Sequence, residues 1–137
     1  MSFFVDTSIV IASQLPDEPG HQQAIRWLEA VEGLHMADHL PLELANALSK
    51  IARRGRMSLA HADAVWLWWN ELPAQPHATA PHLAHALKLS AQHGLHVYDL
   101  LHLLTAREAG RTLVTLNKKL HEQAKTVRLG KWVALLG

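Results

Sequence analysis

Three acidic residues interrupt apolar stretches of the sequence and are the first candidates for chemistry. Asp6 follows the apolar start FFV, Glu43 lies inside LPLELANAL, and Asp99 opens the apolar segment DLLHLL. A carboxylate in apolar surroundings is expensive to desolvate unless a cation or another partner compensates its charge. Hard divalent cations such as Mg²⁺ or Mn²⁺ take oxygen ligands. If the three acids meet in space, they would therefore form a metal site.

Each acid also has a simpler structural explanation. Asp6 could cap a helix, Asp99 could cap a helix or face its dipole, and Glu43 could lie on a solvated helix face. Asn117, after the apolar run TLVTL, would be an ordinary N-cap, although its amide oxygen can also ligate a hard cation. The joint pattern, more than any single residue, favours a functional interpretation.

Short apolar runs alternate with helical patterns along the chain, and this order predicts the elements that must position the acids. Strands are predicted over 3–5, 34–37, 77–79 and 112–116 and within 127–136. Helices are predicted over 21–32, from 40 to a stop at Gly55, over 58–71, 81–94 and 98–109, and from 117 onward. The alternation indicates an α/β fold with a mostly parallel sheet. Such sheets bind ligands beyond the carboxyl ends of their strands, where Asp6 and Asn117 are predicted to lie.

Length and composition limit the classes of protein to consider. The chain has 137 residues, of which 49% are hydrophobic and 18% charged, so we expect one globular domain over 1–137. The absence of cysteine excludes disulfides, a thiol nucleophile and cysteine-ligated metals. No apolar run approaches the ~20 residues of a membrane span, and the N-terminus does not read as a signal peptide, so we expect a cytoplasmic location. A net charge of +1 is too small to predict nucleic-acid binding.

Four stretches occur together in a recognisable order: FFVDTSIVIA, LELANALSK, VYDLLHLLTA and TLVTLNKKL. With them the whole chain resembles the PIN-domain ribonucleases, specifically the VapC-like toxins of bacterial toxin–antitoxin pairs. The resemblance implies a three-layer α/β/α sandwich and Mg²⁺- or Mn²⁺-dependent hydrolysis of RNA phosphodiester bonds. It also implies that Asp6, Glu43 and Asp99 are the catalytic, metal-binding acids. Ser8 and Thr115 would support the metal ligands or contact phosphate.

Asn117 departs from the family pattern, because it stands where the family usually has a fourth Asp. The amide removes one negative charge, so we expect weaker binding of a second metal ion and a dependence on high Mg²⁺ or on Mn²⁺. One-metal catalysis with a second ion recruited by substrate is the favoured mechanism. The alternative is a PIN-like module that binds RNA or a protein partner without efficient cleavage.

Basic residues near the predicted site are candidates for RNA contact. Arg53 and Arg54 end the helix that carries Glu43, and Lys118 and Lys119 follow the predicted strand over 112–116. They could bind phosphates, or they could be solvated residues of helix termini. The choice of RNA over DNA comes from the family resemblance alone.

Five tryptophans are unusual beside one tyrosine and two phenylalanines. Trp66 and Trp69 share one face of a predicted helix, whereas Trp68 points elsewhere. We expect two of the three to pack in the core and the third to line a partner groove or a dimer contact. The family resemblance implies a homodimer and a cognate antitoxin.

Histidines recur at helical spacing, as His35 with His39 and His82 with His85. Zinc would need further converging ligands, so the acids favour a hard ion instead. His102, one turn after the third acid, is the only histidine expected near the carboxylate pocket.

Overall fold

A computed structural model of the chain describes residues 2–137, which form five strands and seven α-helices. The strands are β1 Ser2–Val5, β2 Gly33–Ala37, β3 Gln75–His77, β4 Leu113–Thr115 and β5 Val133–Leu135. The helices are α1 Thr7–Gln14, α2 His21–Ala30, α3 Leu40–Arg53, α4 Leu59–Glu71, α5 Leu83–His93, α6 Val97–Glu108 and α7 Lys118–Thr126. Short 3₁₀ helices, Ala80–His82 and Gly130–Trp132, precede α5 and β5.

The five strands form one sheet in the order β3-β2-β1-β4-β5, and every ladder is parallel. Parallel neighbours cannot be joined by a tight hairpin, so the chain crosses over through helices between them. Val5 is paired with Val114, which brings the carboxyl ends of β1 and β4 side by side. This topology confirms the predicted α/β fold and places the residues after both strands at one edge.

Alternation along the strands divides the core into two layers. Successive side chains of a strand point to opposite faces of the sheet. Val5 and Val114 therefore pack with residues of α1 to α4, whereas Phe4 and Leu113 pack with α5 to α7. The result is the predicted three-layer α/β/α sandwich.

Most element boundaries agree with the sequence prediction to within two or three residues. The predicted helix stops Gly55 and Gly94 have φ of 75° and 74°, a region that glycine enters without steric cost. Ser58 caps α4 by accepting a hydrogen bond from the His61 N–H at 3.0 Å. Helix α1 was not bounded from sequence, because TSIVIASQ is apolar around most of its circumference and has little helical periodicity.

Within residues 2–137, no helix is both long and apolar enough to span a membrane.

Candidate metal centre

Asp6 lies just beyond β1 and is fixed by both the backbone and two hydroxyls. Its N–H donates to the Val114 carbonyl at 3.0 Å. Its Oδ2 accepts from Ser8 Oγ at 2.6 Å and from Thr115 Oγ1 at 2.7 Å. Although Asp6 occupies the N-cap position of α1, in the described chain its side chain makes no capping hydrogen bond. The helix-cap explanation is therefore wrong for this residue, whose carboxylate is held at the sheet edge.

The two hydroxyls that hold Asp6 are themselves oriented by backbone amides. The Leu116 N–H donates to Ser8 Oγ at 3.1 Å, and the Asn117 N–H donates to Thr115 Oγ1 at 3.0 Å. Each hydroxyl thus accepts from the β4–α7 connection and directs its proton to Asp6. Both residues therefore hold the Asp6 carboxylate; supporting a metal ligand was one of the two roles that the family resemblance implies for them, and contacting phosphate was the other.

Glu43 lies in the first turn of α3 and points into the same region. Its Oε1 accepts from Thr7 Oγ1 at 3.1 Å and forms a short hydrogen bond with His102 Nε2. His102 Nε2 is also 3.7 Å from Asp6 Oδ1. Because only 22% of the Glu43 side chain is exposed, a freely solvated helix face does not describe it. His102 therefore links two of the three candidate acids, and it lies where the sequence placed it.

Glu43 and His102 shift each other's pKa values toward the charged forms. Burial raises the pKa of Glu43, but the hydrogen bond and charge of His102 outweigh it and leave the pKa below its usual value. Burial lowers the pKa of His102, but Glu43 and Asp6 outweigh that effect and leave the pKa above its usual value. A buried carboxylate and a buried imidazolium thus stabilise each other's charged forms.

Asp99 is the third residue of α6, whose N-cap is His96, so the helix-cap explanation is also wrong here. Its place in the first turn still suits the helix dipole. Burial, followed by the negative charge of Asp6, raises the pKa of Asp99 to about 6, and Glu43 adds to the effect. The three acids therefore share one electrostatic environment. Carboxylate oxygens that repel one another fit a hard divalent cation, because its charge relieves the repulsion.

His39 also belongs to this pocket and was not expected there. It directly precedes α3, its Nε2 donates to the Tyr98 carbonyl at 3.0 Å, and the same atom lies 3.4 Å from Glu43 Oε1. Its ring packs on that of His102, with centroids 4.2 Å apart. Burial and then the charge of His102 lower the pKa of His39 to about 4. The i,i+4 spacing of His39 and Glu43 was the available sequence signal.

His35 and His39, which recur at helical spacing in the sequence, do not share a helix face. His35 lies in β2, and its Nδ1 is 2.9 Å from His77 Nε2 on the neighbouring strand β3. Helical spacing was misleading because the chain leaves the strand and enters α3 between the two histidines.

Asn117 caps helix α7. Its Oδ1 accepts from the Leu120 N–H at 3.1 Å, which is the ordinary N-cap arrangement considered from sequence. The Asn117 N–H donates to Thr115 Oγ1, which in turn holds Asp6, but the Asn117 side-chain oxygen is used to cap the helix. It adds no charge to the pocket.

The basic candidates lie at unequal distances from the acids. Lys118 and Lys119 are exposed in the first turn of α7, beside the edge that carries Asp6. Arg53 and Arg54 are exposed at the far end of α3, about 15 Å along the helix axis from its first turn. The lysines are therefore adjacent to the pocket, whereas the arginines are remote from it.

The tryptophans of α4 are divided between the core and two grooves. Trp69 is buried, whereas Trp66 and Trp68 are half-buried at the edge of the core. Trp66 lines a depression between α3 and α4, and Trp68 lines a larger groove of about 590 Å³. Apolar residues of α2, β2 and the end of α4 complete the larger groove: Ile25, Leu28, Leu34 and Leu72.

Comparisons with known proteins agree with this architecture. Residues 3–126 match the model of the PIN domain family. Ribonuclease VapC3 of Pyrobaculum aerophilum is 33% identical over 127 residues, which cover 90% of this chain and 95% of that protein. Two solved structures show the same fold. VapC20 of Mycobacterium tuberculosis, a Sarcin-Ricin loop cleaving toxin, has a TM-score of 0.71 at 17% identity and covers 88% of this chain and 93% of its own. A toxin–antitoxin complex from Klebsiella pneumoniae has a TM-score of 0.59 at 19% identity, and the match covers 96% of this chain and 95% of that chain. The chain belongs to the PIN domain family.

Proposed function

We propose that this protein is a Mg²⁺- or Mn²⁺-dependent endoribonuclease and the toxin of a type II toxin–antitoxin pair. One observation carries the proposal: His102 contacts Glu43 and lies 3.7 Å from Asp6, and Asp99 lies one turn before His102 on α6, so three acids far apart in sequence converge at the sheet edge. Similarity to ribonuclease VapC3 over nearly the whole chain supports RNA as the substrate.

The residues of the pocket take distinct roles in this proposal. Asp6 and Asp99 hold the ion, and Glu43 contributes an oxygen directly or through water. The chemistry supplied by such an ion, when bound, is neutralisation of phosphodiester charge and activation of an attacking water. Ser8 and Thr115 fix the Asp6 carboxylate through hydrogen bonds of 2.6 and 2.7 Å, so that little reorganisation is needed on binding.

Substrate binding is assigned to the cations beside the pocket. Lys118 and Lys119 contact RNA phosphates next to the bond that is cut, because they are exposed in the helical turn that follows β4. Arg53 and Arg54 bind a more distant part of the strand. Contacts of this kind make affinity fall with increasing salt.

The groove that contains Trp68 is assigned to the antitoxin. It is lined largely by apolar side chains, and Glu29 lies along it, so it suits a segment that presents both apolar and basic side chains. The Klebsiella pneumoniae neighbour is a toxin–antitoxin complex, which supports such a partner. Exposed leucines on α3 and α5, Leu42 and Leu87, are assigned to a homodimer contact.

The test is cleavage of structured RNA by the purified protein with Mg²⁺, with Mn²⁺ and with EDTA. We expect metal-dependent cleavage that EDTA abolishes and that Asp6→Ala and Asp99→Ala remove. Asp63→Asn, an exposed acid on α4, is the matched control and should cleave normally. Cleavage that persists in both alanine variants would reject the proposal. Metal-independent RNA binding without cleavage would support the weakened module instead.

A further inference from the structure

Two imidazoles in the pocket have no direct part in the proposed nuclease chemistry. His39, Glu43 and His102 each offer one ligand atom, and these atoms all lie within 4.8 Å of one another. We call these three residues the histidine–glutamate cluster. Its donors differ in kind from the carboxylates of Asp6 and Asp99, since two of the three are ring nitrogens.

Each histidine of the cluster is buried and has one ring nitrogen without a protein partner among the described residues. His39 and His102 are 8% and 0% exposed. Nε2 of each ring has an oxygen partner, but Nδ1 of each is buried without a hydrogen-bond partner among residues 2–137. Buried polar atoms without partners are rare in folded proteins, and a bound ion is one explanation for them.

The fold holds the cluster on two helices that already touch. His39 and Glu43 are one helical turn apart, with the Glu43 N–H donating to the His39 carbonyl at 3.2 Å. The ring of His102, from α6, packs on that of His39. Asp6 Oδ1, 3.7 Å from His102 Nε2, is a further oxygen within reach. A bound ion would take the place of the Nε2 protons of His102 and His39, and small side-chain adjustments would then bring three or four ligand atoms around it.

We propose that the histidine–glutamate cluster is a binding site for a first-row transition-metal ion such as Zn²⁺. Imidazole and carboxylate together suit Zn²⁺, whereas Mg²⁺ prefers oxygen ligands alone. The site would thus retain Zn²⁺ in the presence of excess Mg²⁺. Because Glu43 belongs to both groups of ligands, Zn²⁺ withdraws a carboxylate from the nuclease site and inhibits it. This regulatory consequence rests on the proposed function, whereas the binding does not.

The experiment measures Zn²⁺ bound per folded chain by equilibrium dialysis and metal analysis, with Mg²⁺ in large excess. Co²⁺, whose visible absorption reports on its ligands, serves as a spectroscopic probe of the same site. We expect one retained Zn²⁺ per chain in the wild type. His39→Gln and His102→Gln should each weaken binding at least about tenfold. His61→Gln, at an exposed position of α4, should bind as the wild type does.

Two results would overturn the inference: wild-type protein that loses its Zn²⁺ to Mg²⁺, or histidine variants that keep wild-type affinity. If His102→Gln does not fold, as judged by circular dichroism, His39→Gln alone decides. RNA cleavage in Mg²⁺ alone is measured in parallel. Cleavage without retained Zn²⁺ refutes the zinc site only, and retained Zn²⁺ without cleavage refutes the nuclease only.

Discussion

His102 on α6 donates a hydrogen bond to Glu43 on α3, across a separation of 59 residues. The imidazole is fully buried, and the carboxylate is largely covered. Through this contact the α6 helix sets the orientation of an acid that belongs to α3, on the opposite layer of the sandwich. The pair therefore joins the two helical layers at the edge of the sheet where the metal site is proposed.

A double-mutant cycle measures the strength of this pair. We expect Glu43→Gln and His102→Gln to be coupled by about 1–3 kcal/mol in the free energy of unfolding, because the charges are shielded from solvent. Urea unfolding at neutral pH in EDTA gives the four free energies. The exposed pair Glu122 and Lys125, 3.5 Å apart, is the control and should show about 0.5 kcal/mol or less. A His102–Glu43 coupling no larger than that of the control would contradict the ionised pair.

Asp99 should make the metal-free protein less stable as the pH rises. Its folded-state pKa of about 6 lies above that of the unfolded chain, near 4, so the folded state holds the proton more tightly. The stabilisation is complete below pH ~4 and is lost as the pH rises through 6. Its full size is about 2–3 kcal/mol at 1.36 kcal/mol per pKa unit.

Urea unfolding of the wild type and Asp99→Asn in EDTA isolates this contribution. The variant should gain about 2 kcal/mol relative to the wild type between pH 4.5 and pH 8. Mg²⁺ at pH 8 should then stabilise the wild type but not the variant, since the ion relieves the same repulsion. Parallel pH profiles of the two proteins would show that Asp99 ionises normally.

The hydroxyls that hold Asp6 should matter for activity as well as for folding. Ser8→Ala and Thr115→Ala each remove one hydrogen bond to a carboxylate, worth about 1.5–3 kcal/mol when the acceptor is charged. At 1.36 kcal/mol per tenfold change, we expect cleavage to fall about tenfold to a hundredfold. Single-turnover cleavage at saturating Mg²⁺ measures this loss. Ser49→Ala, at an exposed position of α3, should leave cleavage unchanged, and an equal loss in that control would assign the effect to stability.

The α/β fold could be predicted from the sequence, and so could the place of Asp6 directly after the first strand. Apolar strands that alternate with helices require a parallel sheet, and the sheet aligns the ends of β1 and β4. Asp6 and Asn117 could therefore be predicted to lie at the same edge of the sheet. Local chemistry also indicated the Asn117 cap, because capping depends on neighbouring residues alone.

Contacts between layers could not be predicted in the same way. His39 meets Tyr98 and His102 only because α3 and α6 approach each other at the sheet edge. Their separation in sequence leaves no periodic signal, and the helical spacing of His35 and His39 has no counterpart in the fold. His39 was therefore found only in the structure, whereas His102 and the three acids were expected from the sequence.

Asn117→Asp tests whether the missing fourth acid limits the protein. The fold should tolerate the change, because Asp caps a helix as well as Asn does and its charge suits the N-terminus of α7. The added negative charge lies beside the Asp6 region and should lower the Mg²⁺ concentration needed for half-maximal cleavage. At saturating Mg²⁺, however, we expect the cleavage rate to change by less than about tenfold (1.4 kcal/mol), since the three existing acids already hold the ion.

Metal titrations of wild-type and variant cleavage, with Asn70→Asp on α4 as the control, measure both quantities. A gain above about a hundredfold at saturating Mg²⁺ would instead identify the wild type as a weakened nuclease whose main role is binding.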